Sequence, residues 1–165
     1  MAHESRLTVQ LRSLLQSSRV AALGTLGESG APFVSMVPYV IVPTVGCVAI
    51  HVSGLAVHTR NLQARPQVSL LIMQPETQDE PVHALPRVTL EGVAMVPEPE
   101  SREWHACRKA YLGRFPEAEP MMQLGDFMFV AIQVSGARQV AGFGAARSIA
   151  EDDLRQVLGP RPDPA

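Results

Sequence analysis

The sequence predicts a mainly β protein, an antiparallel sheet closed into a small barrel with helices packed outside. Three observations lead there. Six short apolar or alternating segments read as strands. Most are joined by proline- and glycine-bearing turns instead of helices. One regular β-α-β stretch, residues 47–73, is a potential parallel crossover, but it is not repeated as a doubly wound fold would require.

The elements follow in order. Glu4–Gln16 reads as a helix, because Leu7, Leu11, Leu14 and Leu15 form one apolar stripe. Arg19–Leu26 and Pro32–Val42 read as a hairpin around the GESGAP turn. Pro43 and Gly46 bracket a second turn, and Cys47–Val52 is the third strand. A short helix from Leu55 to Ala64 stops at Pro66, and Gln67–Met73 is the fourth strand. Gln74–Pro86 is a polar, proline-rich loop, and the alternating Arg87–Val96 is the fifth strand. Pro99–Leu112 reads as a helix with Trp104, Cys107, Ala110 and Tyr111 on its buried side. Glutamates near its start and basic residues near its end suit the helix dipole. Asp126–Val134 is the sixth strand, AGFGAAR a glycine turn and Ala150–Leu158 a last helix. The expected organisation is one domain over residues 1–158 and a disordered tail over 159–165.

Composition narrows the function. The chain has 165 residues, 46% of them hydrophobic, and a net charge of −2. No basic excess marks a nucleic-acid binder, and no apolar run reaches the roughly 18 residues of a membrane span. Without a secretory signal or a CxxC pair, Cys47 and Cys107 are expected to be reduced thiols in a cytoplasmic protein.

Polar residues concentrate where the third strand meets the short helix. Alternation puts Val48, Ile50 and Val52 on one face, and Cys47, Ala49, His51 and Ser53 on a small, polar face expected to lie outside the deep core. Helical spacing puts His58 and Thr59 beside Leu55 and Leu62, with Ser53 as a helix cap. Unpaired N–H groups, hydroxyls and a histidine suit a phosphate or carboxylate. A capped turn with a core histidine fits the same spacing.

Other motifs carry less. The GFGAAR turn has Arg147 where a dinucleotide fingerprint needs its third glycine. His51, His58, His83 and His105 lack metal-ligand spacing, so no metal site is expected. Cys107 and His105 are two apart on a helix and face different ways, which excludes a Cys–His nucleophile. Trp104 and Tyr111 read as core or interface anchors.

The ordered segments SRVAALGTL, GAPFVSMVPY, GCVAIHVSGLAVHTRNLQARPQVSLLI and RVTLEGVAMV resemble the pyridoxamine 5′-phosphate oxidase-like FMN-binding split barrels. The SGLAVHTRNL string with AGFGAAR resembles the haem-utilisation branch of that superfamily. The resemblance runs over about residues 7–158 and implies a six-stranded antiparallel split β-barrel with flanking helices. It implies a homodimer with FMN at the interface. On this chain the implied cofactor-binding residues are Ser35, Met36, Val37 and Tyr39, then His51, Val52 and Ser53. His58 and Thr59 would meet the phosphate with Asn61 behind, Arg87 would approach the flavin, and Gly142 and Phe143 would lie near it. One departure stands out: Val57 and His58 occupy the places of the oxidases' Arg-Lys phosphate pair, leaving Arg19, Arg60 or Arg65 to compensate.

The resemblance implies an FMN-dependent oxidoreductase that moves two electrons to or from a small organic substrate, with oxygen or a nicotinamide as partner. No catalytic acid or base is visible at the ring. Pyridoxamine 5′-phosphate oxidation itself is not expected, because the basic and aromatic cluster for a second phosphate is missing. The alternatives are a haem-binding or haem-degrading protein, a non-catalytic flavin carrier or sensor, and a structural dimer without cofactor. Haem degradation has a difficulty, since no histidine follows His105 to serve as a C-terminal axial ligand.

Overall fold

A computed structural model describes residues 4–160. Helix α1 (Arg6–Ser17) starts at Ser5, whose hydroxyl accepts the Thr8 N–H at 3.1 Å, and buries Leu11, Leu14 and Leu15. Strands β1 (Val20–Leu26) and β2 (Pro32–Pro38) form the expected antiparallel hairpin. Then come β3 (Val40–Val42), β4 (Cys47–Ser53), α2 (Val57–Ala64) and β5 (Gln67–Met73). After a 3-10 turn at Val82–Ala84 come β6 (Arg87–Met95) and α3 (Arg102–Arg114). A 3-10 segment at Pro116–Gln123 leads to β7 (Phe127–Val140), β8 (Ala146–Ser148) and α4 (Glu151–Leu158).

Every strand pairing is antiparallel, in the order β2-β1-β5-β6-β7-β4-β3, with β8 on β7. The mainly β, split-barrel expectation holds, with eight strands where six were read. Pro32–Val42 is not one strand. Pro38 has no N–H to continue a ladder, and the Tyr39 N–H turns back to the Arg19 carbonyl at 3.2 Å. That corner carries the chain from β2, one end of the sheet, to β3 at the other. The second extra strand, β8, comes from the glycine turn, where Gly142 and Gly144 take positive φ. Residues 47–73 form no parallel crossover, because β4 pairs with β7 and β3 while β5 pairs with β1 and β6. Most of the expected tail lies outside the described residues. No helix among the described residues is long and apolar enough to cross a membrane.

Curling gives the sheet an inside and an outside. Inside, Leu23, Val37, Ile50, Leu70, Leu90 and Ile132 pack with residues of α1 and α4. Outside, the two halves differ. Helix α3 lies on β3, β4 and β7, burying Val42, Cys47, Ala49, Phe129 and Ala131 under Cys107 and Tyr111 in a second core. The outer face of β1, β2, β5 and β6 has no such cover, and Val34, Met36, Leu71, Met73, Val93 and Met95 lie exposed on it. The ladder bulges between Glu91 and Gly92, where a Cβ on Gly92 would come within 2.4 Å of the Gln133 carbonyl oxygen. Gly92→Ala should therefore destabilise the protein by about 1–3 kcal/mol in urea unfolding, the usual cost of overpacking against rigid backbone. An unchanged midpoint would show that the bulge yields.

Candidate functional site

The corner between β4 and α2 is a tied turn. Ser53 does not cap α2; the N-cap position is Ala56, which has no side-chain cap bond. Instead the Ser53 hydroxyl donates to Asp126 Oδ2 at 2.6 Å and accepts the Leu55 N–H at 3.1 Å. The Gly54 N–H donates to the Asp126 carbonyl at 2.6 Å. Thr59 is fully buried and donates its hydroxyl to the Ser53 carbonyl at 2.6 Å. Both hydroxyls expected to meet a phosphate are thus bonded inside the protein, and the Asp126 carboxylate lies at the corner. Of the three expected compensating cations, Arg65 donates to the Glu28 carbonyl and Arg19 pairs with Glu117, while Arg60 is exposed on α2. Asp126 was not legible from the sequence; it lies 73 residues from Ser53, and only the β4–β7 register joins them.

The other expected site residues separate into groups. Ser35 and His58 meet, with Ser35 Oγ 2.9 Å from His58 Nδ1, joining edge strand β2 to the first turn of α2. Asn61 donates to Thr25 Oγ1 at 3.1 Å, behind that contact. Met36 stands on the bare outer face, 66% exposed. Val37, Tyr39 and Val52 are core residues, and the Tyr39 hydroxyl donates to the Leu15 carbonyl at 2.8 Å. Arg87 starts β6 beside Val140, with its guanidinium on the Leu85 carbonyl at 3.0 Å. Gly142 and Phe143 tip the turn closed by the Ala141–Ala145 backbone bond, and Phe143 projects into solvent.

His51 departs from expectation. The face it shares with Cys47 and Ala49 is not a small polar exterior; α3 covers it. The imidazole lies among Phe129, Phe127 and Tyr111, with ring centroids at 4.7, 5.2 and 5.6 Å. Its Nδ1 has no partner among the described residues. Burial pushes the pKa of His51, and that of His58, below the ordinary histidine value.

Across the bare face runs a trough of about 500 Å³. One register row runs along its floor: Val34, Gly24, Ser69 and Glu91 lie side by side, and Gly24 has no side chain. A Cβ at Gly24 would meet Ser69 Oγ at 2.7 Å, so a side chain there would make the serine hydroxyl turn away. Leu26, Pro32, Gln67 and Val93 of the neighbouring row wall one side. Sequence reading missed this trough, because its signal is cross-strand register.

A family model described as pyridoxamine 5′-phosphate oxidase matches residues 7–141. The chain belongs to this family. Within the pyridoxamine 5′-phosphate oxidase family it is similar to the haem oxygenase HutZ of Vibrio cholerae, 32% identical over 92% of this chain and 85% of that protein. It is similar to the chloroplastic non-canonical haem oxygenase HOZ of Arabidopsis thaliana, 34% identical over 83% of this chain and 41% of that protein. A solved haem-binding protein from Mycobacterium smegmatis superposes with TM-score 0.81 at 31% identity, over 93% of this chain and 62% of that one. The chain thus spans less than two thirds of the mycobacterial and plant relatives. These names overturn the expectation of FMN and of a flavin-dependent oxidoreductase. The corner gives a physical reason, as the Ser53 and Thr59 hydroxyls expected to meet the phosphate of FMN are bonded within the chain.

The sign of the histidine effect can be worked out. A folded-state pKa below 6.5 means the unfolded chain takes up protons first as pH falls. Stability from this source is complete above about pH 6.5 and is lost as pH drops from there toward the depressed folded value. The melting temperature should fall on that acid side, and His51→Leu should flatten the fall. An equal acid slope in the variant would remove His51 from the account.

Proposed function

We propose that this chain binds haem on the bare face of the sheet, as a homodimer whose second copy covers that face. The observation that carries the reading is the 32% identity to a haem oxygenase across 92% of the chain. The geometry supports it. A haem is broad, flat and apolar with two carboxylates at one edge. The bare face offers Val34, Met36, Leu71 and Met73 to the ring and Arg87 and Arg138 to the carboxylates. An apolar area of this kind on a water-soluble sheet calls for a partner, and a second copy buries both faces at once.

In an oxygenase, bound haem supplies the redox-active iron and is also the molecule consumed. This chain's part is to hold the ring in a dry slot and fix its orientation through the arginines. Binding without turnover is the second reading, favoured by the HutZ structure described as a haem storage protein, 30% identical over 81% of this chain with TM-score 0.73. The buried free thiols Cys47 and Cys107 suit a reducing compartment, and the reading places the protein in the cytoplasm.

Haemin titrated into the purified protein should raise a Soret band that saturates at a fixed ratio of haem to chain, while FMN should be lost on dialysis. Retained FMN with no Soret band would refute the proposal. A reductant and oxygen then separate oxygenase from store by whether the Soret band decays. Val34→Glu with Met36→Glu should give a monomer in sedimentation and cost most of the haem capacity. A dimer that persists with full capacity would move the interface elsewhere.

A further inference from the structure

Resting on the homodimer reading, we propose that Glu91 of each copy pairs with Arg138 of the partner subunit, whose guanidinium enters the trough beside Glu91. Register and alternation put three charged side chains on the bare face: Arg87, Glu91 and Arg138. The Arg87 guanidinium is tied to the Leu85 carbonyl at 3.0 Å. The side chains of Glu91 and Arg138 have no ion pair and no hydrogen bond among the described residues. Glu91 leans across the ladder, with Oε2 3.6 Å from where a Cβ on Gly136 would stand. Arg138 is the next residue of β7 on that face, diagonal to Glu91, yet the two do not close a pair within the chain.

On the open face water solvates both charges. A second copy laid on the face strips that water, and a charge buried without a counter-charge is strongly destabilising. A two-fold axis answers both charges at once. If Glu91 meets Arg138 of the partner subunit, then the partner's Glu91 meets Arg138. Opposite charges on one self-complementary face therefore select a second copy of this chain over an unrelated apolar partner. The trough has the room, about 500 Å³ running past Glu91, with no side chain at Gly24. Ser69, opposite Glu91 in the ladder, adds a hydroxyl acceptor for the remaining N–H groups. Val34, Met36 and Leu71, exposed around the pair, screen it from water in the dimer. A guanidinium has five donors, so Arg138 can hold a carboxylate of the partner on one edge and one of haem on the other.

The test is charge exchange, read by sedimentation velocity on the full chain, apo and haem-loaded. Glu91→Arg alone and Arg138→Glu alone should each set like charges across the two-fold and raise the dimer dissociation constant about 30-fold or more. An equimolar mixture of the two variants should dimerise as wild type does, because each chain then meets the opposite charge at both contacts. A pair closed inside each chain would stay mismatched in that mixture. Circular dichroism on each variant confirms folding. Should a reversal unfold the chain, Glu91→Gln and Arg138→Gln give the same reading: each weakens the dimer, and the two together weaken it no more than either alone. Folded single variants that stay dimeric, a mixture that stays monomeric, or glutamine variants whose effects add overturn the pair and leave the homodimer standing. Wild type that sediments as a monomer in both states overturns the homodimer reading and the pair with it.

Discussion

A curled sheet has two faces, and each that is apolar must be kept from water or given to a partner. That constraint shapes this protein. The inner face closes on itself with help from α1, α4 and Leu62 of α2. Half of the outer face is sealed by α3, which buries Cys107 and Tyr111 against β4 and β7. The other half stays open, with valines, leucine and methionines where a solvent-facing antiparallel sheet would carry polar residues. Gly24 deepens it into a trough along one row of the ladder. The proposed haem binding and self-association would both cover this same surface.

The same fold can present two different cofactor sites, and small commitments of hydrogen bonds decide which is available. At the β4–α2 corner, Ser53 and Thr59 look from their spacing like phosphate ligands. Each hydroxyl instead has a partner inside the chain, and Asp126 brings negative charge to the place an anion would need. Next to Thr59 on α2, His58 is tied through Nδ1 to Ser35 of β2.

Much of the fold was legible because its signals are local. The leucine stripe of α1, the β1–β2 hairpin and the alternation of β6 all follow from residues within one element. The chain's passage at Pro38 and Tyr39 was not, since a strand that runs on and one that turns to another edge share the same apolar composition. The site was half legible. Ser35 and His58 were both expected, and they touch. Tyr39 and Val37 were expected beside a ligand and lie in the core, because alternation says which residues share a face but not which face is inside. His51 was misplaced for a related reason: nothing within β4 tells that a helix some fifty residues later will cover it. Asp126 and the trough depend on pairing between distant strands, which single-chain periodicity does not carry.

The central claim is that the uncovered half of the outer sheet is where haem and the second copy meet. Hydrogen–deuterium exchange on the apo and haem-loaded protein addresses it most directly. The account predicts new protection in β1, β2, β5 and β6, with α3 unchanged. Protection confined to α3 and the strands beneath it would contradict the account.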